Sequence, residues 1–191
     1  ASYGRIYDFS GVLQDEQTSL GVMSTLSNNI ITIANINRDM ERYEGIEFTK
    51  TQAFLGGAVS ASRRLSAGGF LMVGDQIRYS DTPFLGQSVT ATAFVGLRPM
   101  SRLNADLPLI TSRLHDPRSD NLVFDVKIFR TFTTYQFTNR LLLRNIMEYN
   151  TLSRTLGANL LFTYRVNAGT VFFIGYDDHY EQENLLDAVR Y

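Results

Sequence analysis

The chain has 191 residues, 44% of them hydrophobic and 12% aromatic, enough to form an ordered core or membrane-facing surface rather than a disordered coil. Eighteen Lys and Arg against nineteen Asp and Glu give a formal net charge of -1, which supplies no basic footprint for nucleic acid, so no nucleic-acid partner is expected. Without cysteine there is no disulfide framework, zinc-thiolate site or Cys nucleophile, a composition that suits a cell-envelope protein.

The pattern along the chain has period two. Strands are predicted at 5–13, 19–26, 30–38, 52–63, 67–78, 88–97, 102–113, 122–136, 140–149, 155–166 and 169–181. In the sixth, Val89, Ala91, Ala93, Val95 and Leu97 alternate with Ser88, Thr90, Thr92, Gly96 and Arg98. The ninth puts Leu141, Leu143, Met147 and Tyr149 on one side, interrupted by Asn145, with Arg144 and Glu148 opposite. The tenth is the cleanest: Leu156, Ala158, Leu160, Phe162, Tyr164 and Val166 oppose Thr155, Gly157, Asn159, Thr163, Arg165 and Asn167. In the eleventh, Thr170, Phe172, Ile174 and Tyr176 fall on one face, and beyond Tyr176 charged residues occupy both.

The connections are expected to alternate in length. Short turns are read at Ser27-Asn28-Asn29, Leu65-Ser66, Pro99-Met100-Ser101, Thr138-Asn139 and Asn167-Ala168. Longer charged loops are read at 39–50, 79–86 and 115–120, with 14–17 and 150–154 shorter than this rule asks. Tight turns on one rim and long polar loops on the other are features of an outer-membrane barrel, whose strands of about 9 to 11 residues show lipid only every second side chain. The mean hydropathy of -0.11 fits such alternation. The expected fold is therefore all-β: an antiparallel up-and-down transmembrane β-barrel. Eleven strands leave such a barrel at least one short, so residues 1–191 are read as a single β-barrel region that is an incomplete portion of a larger barrel, with 183–191 the start of a return. A soluble β-sandwich or barrel with its apolar face inward gives the same alternation and stays open.

On the barrel reading, Leu156, Leu160, Phe162, Tyr164, Phe172, Ile174 and Tyr176 face lipid, while Asp125, Lys127, Arg144, Glu148, Asn159 and Arg165 line the lumen as a network of paired charges or a substrate-selecting ring. The segment Asp177 to Glu181 is a rim where the strand leaves the bilayer, since Tyr prefers that level. The sharper reading is a divalent-ion site, for which only Asp177, His179 and Glu181 share a face. His115 is expected in a solvated loop. No Gly-rich phosphate loop, Gly-x-Ser-x-Gly elbow or His-Glu-x-x-His motif is present, and no catalytic residue, cofactor or metal is assigned.

The stretch from Phe124 to Tyr180, FDVKIFRTFTTYQFTNRLLLRNIMEYNTLSRTLGANLLFTYRVNAGTVFFIGYDDHY, resembles the C-terminal part of a bacterial family of unknown function. Its long members join an N-terminal carbohydrate-binding-like (family-nine-like) β-domain to an outer-membrane barrel. DTPFLGQ, LRPMSRLNADL and STLSNN extend the likeness. The resemblance implies an outer-membrane location, contact with membrane lipid and with other chains of an envelope assembly that handles glycans, and absence here of both the N-terminal periplasmic domain and the closing strand. The leading expectation is a non-enzymatic anchor, scaffold or conduit. A soluble small-molecule-binding protein is the alternative, and a hydrolase with its site at the barrel mouth is the weaker one.

Overall fold

A computed structural model describes residues 1–181, and the expected return over 183–191 lies outside the described residues. The described chain is antiparallel β throughout: β1 (Ser2–Tyr7), β2 (Leu13–Leu26), β3 (Ile30–Tyr43), β4 (Ile46–Val59), β5 (Leu65–Arg78), β6 (Phe84–Met100), β7 (Leu103–Asp116), β8 (Asn121–Gln136), β9 (Leu141–Asn150), β10 (Thr155–Asn167) and β11 (Thr170–Glu181). A single 3-10 turn, Ser27–Asn29, joins β2 to β3. Each strand pairs with its neighbours in sequence, in the order β1 to β11, so the up-and-down topology matches the expectation. The sheet is not closed: β1 and β11 are its two edges among the described residues.

The expected difference in loop length is absent. Strands β3 and β4 run into the segment 39–50 and pair through Asp39↔Lys50, Glu41↔Phe48, Arg42↔Glu47 and Tyr43↔Ile46. Only Glu44 and Gly45 turn the chain, both at positive φ (51° and 74°), the geometry a two-residue hairpin requires. Charge was a poor guide there because the charges are partnered across the strands: Arg42 with Glu47, and Lys50 with Glu41. Likewise β7 carries His115 as a half-buried strand residue, not a loop residue, and the turn occupies only 117–120.

The first strand ends earlier than expected, at Tyr7, because Asp8 closes a turn. Its Oδ1 accepts hydrogen bonds from the amides of Ser10 (2.8 Å) and Val12 (2.9 Å), and its Oδ2 accepts one from Gln14 Nε2 (2.9 Å). These bonds, led by that from Val12, hold the Asp8 carboxyl below its usual range.

The chain forms two compact units. The first comprises residues 1–59, 69–92 and 111–125, the second 60–68, 93–110 and 126–191. The first holds all the buried hydrophobic side chains among the described residues: Phe48, Ile77 and Leu114. Its fifth strand is displaced at Gly74, whose φ of 138° is open to glycine but not to a side chain, since a Cβ there would lie 2.1 Å from the Thr51 carbonyl oxygen. Asp75 fills the interrupted ladder, its carboxylate accepting from Thr51 N and its carbonyl from Gln52 Nε2, both at 2.9 Å. Beyond this bulge Ile77 is buried, although Leu71 and Val73, in the same odd register, are exposed. The second unit has no buried hydrophobic side chain among its described residues.

Candidate functional site

In the second unit the registers of β8 to β11 sort the side chains onto two faces. Leu156↔Tyr180, Leu160↔Tyr176, Phe162↔Ile174 and Tyr164↔Phe172 gather all seven residues expected on the apolar side onto one face. Tyr149, Met147, Leu143 and Leu141 of β9 join them, as do Phe129 and Tyr135 of β8. Exposure is greatest on β11, at 61% for Phe172 and 73% for Ile174. Asn145 sits on this face between Leu160 of β10 and Thr133 of β8, and its Oδ1 is buried without a hydrogen-bond partner.

The other face carries Arg144, Glu148, Asn159 and Arg165, together with Asp177, His179 and Glu181. Asp125 and Lys127 do not belong with them. Lys127 exchanges hydrogen bonds with Thr151, one step beyond the Ile128↔Asn150 pair, which puts it on the side of Phe129 and Tyr149. Asp125, two residues earlier in the same strand, shares that side and forms an ion pair with Arg113 of the first unit's own β7 segment. Arg130 takes the place expected for them, and the alternation of β8 about Phe129 and Thr131 already carried that signal. Nor is this face uniformly polar: Val171 and Phe173 lie on it, and Phe173 is 63% exposed.

A row of four residues crosses the polar face, Arg130↔Glu148↔Gly157↔His179. Arg130 holds the Glu148 carboxylate through Nε and Nη2. The His179 ring lies beside Gly157: a Cβ there would stand 3.4 Å from the imidazole Cδ2, at ordinary contact distance. In the next row Asn159 lies between Ile146 and Asp177, with its Oδ1 buried and without a hydrogen-bond partner among the described residues. Glu148, Gly157, Asn159, Asp177 and His179 line a shallow cavity of about 180 Å³.

Chemically this is a hydrogen-bonding surface: one carboxylate neutralised by arginine, one imidazole and one free amide oxygen. The His179 ring and the Asp177 carboxylate make no hydrogen bond among the described residues, so a nucleophile, base and orienting group are not assembled. Asp177, His179 and Glu181 share a face but are spread along the strand, and no group of three metal-ligating side chains converges among the described residues.

Just across the strand, on the apolar face, Tyr176 donates to Asp178 Oδ2 (2.8 Å) and shares a 2.6 Å hydrogen bond with the Tyr180 hydroxyl. Asp178 Oδ1 accepts from His179 N at 2.8 Å. A carboxylate on the largely apolar face is thus met by phenols, an arrangement for a level where apolar and wet surroundings meet.

Comparison with protein-family models, curated proteins and solved structures finds no match to this chain.

Proposed function

We propose that the chain is part of an outer-membrane β-barrel that serves as anchor, scaffold or conduit in an envelope assembly, with the apolar face of β8 to β11 against lipid. One observation carries this reading: in the second unit most apolar side chains of β8 to β11 gather on one sheet face and stay exposed, with Ile174 at 73%, and no hydrophobic side chain of that unit is buried among its described residues. A continuous apolar surface of this kind needs a cover, and alternating strands spanning a bilayer provide one without further protein. The Tyr176–Asp178–Tyr180 cluster fits the interface where such a strand would leave the hydrocarbon. The unpaired Asn159 oxygen and the Arg130–Glu148 pair on the opposite face fit a wet interior.

A second reading has its own support. Connections of two to five residues at both ends of the strands remove the loop asymmetry of a typical outer-membrane barrel and suit a soluble β-sandwich or barrel whose apolar face packs inward. Fractionation separates the two. On the membrane reading the chain sediments with membranes, resists extraction by high salt and dissolves in mild detergent. Recovery as a monodisperse, detergent-free monomer would sink it.

A further inference from the structure

The nearly neutral whole conceals a charge difference between the two units. Among the described residues the first has seven basic and twelve acidic side chains, the second ten basic and five acidic, a formal -5 against +5. In the second unit the basic residues concentrate near alternate connections. Arg63, Arg64, Arg98, Arg102, Arg140 and Arg165 lie in or beside the turns 60–64, 101–102, 137–140 and 168–169, and none of these six forms an ion pair among the described residues.

Three of them frame a cavity. Arg63, Arg64 and Arg98, with Ser101 and Asn104, line an opening of about 530 Å³. A smaller recess of about 180 Å³ shares the arginines and is lined also by Ser66, Gly96 and Asp106. The site is organised by hydrogen bonds. The Ser62 hydroxyl accepts from the amides of Arg64 and Leu65 (3.1 Å each), which fixes the turn. Arg98 N donates to the Arg64 carbonyl at 2.8 Å, locking the two backbones together. Arg98 Nε donates to Asn104 Oδ1 (2.9 Å), and Asn104 Nδ2 donates to Asp106 Oδ2 (3.1 Å). Asn104 therefore stands between the guanidinium and the nearby carboxylate, orienting Arg98 by Nε without neutralising it and leaving its two terminal nitrogens unbonded among the described residues. Gly96 keeps the recess open, since a Cβ there would lie 2.5 Å from Ser66 Oγ and 3.1 Å from Asp106 Oδ1.

Three like charges around one opening repel, and that cost is recovered when an oxyanion enters. Guanidinium forks match the oxygens of a phosphoryl group in geometry as well as charge. The opening is larger than one such group and falls in the size range of small-molecule sites. We propose that the pocket framed by Arg63, Arg64 and Arg98 binds a phosphoryl group carried on a larger molecule. The inference does not depend on the membrane assignment, because the arginines, their hydrogen bonds and the opening belong to the second unit alone.

Calorimetric titration of the full chain with two probes tests it: inorganic pyrophosphate, and a short-chain phosphatidic acid kept below its micellar concentration, with the matching phosphatidylcholine as control. Saturable binding of at least one phosphoryl probe is expected. Pyrophosphate alone would mark a soluble ligand, phosphatidic acid alone a lipid headgroup, and both would mark recognition of the phosphoryl group itself. Arg98→Gln keeps a donor for Asn104, and Arg63→Gln removes no side-chain hydrogen bond among the described residues, so both variants should unfold at the wild-type temperature. Each should weaken binding about tenfold, as expected for loss of one charge-assisted contact. Arg140→Ala, in the same unit but outside the pocket, should change it less than twofold. Absence of saturable binding to either phosphoryl probe, or equal weakening by Arg140→Ala, would overturn the proposal.

Discussion

The two units solve the problem of stability in different ways. The first buries Phe48, Ile77 and Leu114, and four of its seven basic side chains are in ion pairs, Arg5 with Glu16, Arg42 with Glu47, Lys50 with Glu41 and Arg113 with Asp125, although it too exposes apolar side chains such as Leu20, Val22, Ile36 and Leu55. The second buries no hydrophobic side chain among its described residues and pairs one of its ten described basic ones, Arg130 with Glu148. Both units expose apolar surface, and what sets the second apart is the lack of a buried hydrophobic side chain among its described residues and its unpaired cations.

The largest expected effect lies in the first unit. Leu114 is 1% exposed, and Leu114→Ala should cost about 2 to 5 kcal/mol by loss of transfer energy and creation of a cavity. Because that core is internal, the loss should be similar in detergent and in bilayers. A loss below about 1 kcal/mol in equilibrium unfolding would mean that the first unit is not held by this core.

In the second unit the cost of a substitution should depend on what surrounds it. Phe172→Arg, on the same face and four residues from the Tyr176 level, should cost about 2 to 4 kcal/mol in a bilayer, whereas Asn159→Arg on the opposite face should be mild. Refolding into vesicles with denaturant titration measures both. Equal damage from the two would show that the apolar and polar faces do not meet different surroundings.

These contrasts were only partly legible in the sequence. The eleven strands, their order and the shared face of Leu156, Leu160, Phe162, Tyr164, Phe172, Ile174 and Tyr176 follow from alternation, because period two fixes sides wherever a strand is regular. Strand ends were harder. The segment 39–50 reads as a charged loop until Arg42 and Glu47, and Lys50 and Glu41, are known to face each other across a two-residue turn. The charges of Asp125 and Lys127 suggest the polar face, although their parity with Phe129 and Tyr135 puts them on the other. Neither the Gly157–His179 contact nor the arginine pocket can be read from spacing, since each joins strands whose relative register the sequence does not state. The near-zero total charge also hid the division between units, because residues of each are interleaved along the chain.

Smaller effects sharpen the comparison further. Arg130 and Glu148 are both about one-third exposed, so a double-mutant cycle with Arg130→Gln and Glu148→Gln should give a coupling of about 1 kcal/mol or less. A much larger coupling would mark the polar face as a dry interior. At the β1–β2 turn of the first unit the depressed Asp8 pKa makes a signed forecast. Its folded pKa lies below the unfolded value, so its contribution is present above about pH 4 and fades as pH falls through the lower folded value. Asp8→Asn should therefore unfold at a lower temperature than wild type at pH 7, and the two curves should converge below pH 4. A gap that persists in acid would assign the effect to hydrogen-bond geometry rather than charge.

The central claim, that the apolar face of β10 and β11 meets lipid, can be tested directly because the chain has no cysteine of its own. A nitroxide is attached to Leu160→Cys in one sample and to Asn159→Cys in another, after reconstitution in vesicles, and its collisions with oxygen dissolved in the bilayer and with a water-soluble nickel chelate are measured. The account predicts that the label at 160 collides mainly with oxygen and the label at 159 mainly with the nickel chelate. Equal accessibility of both labels to the chelate would contradict it.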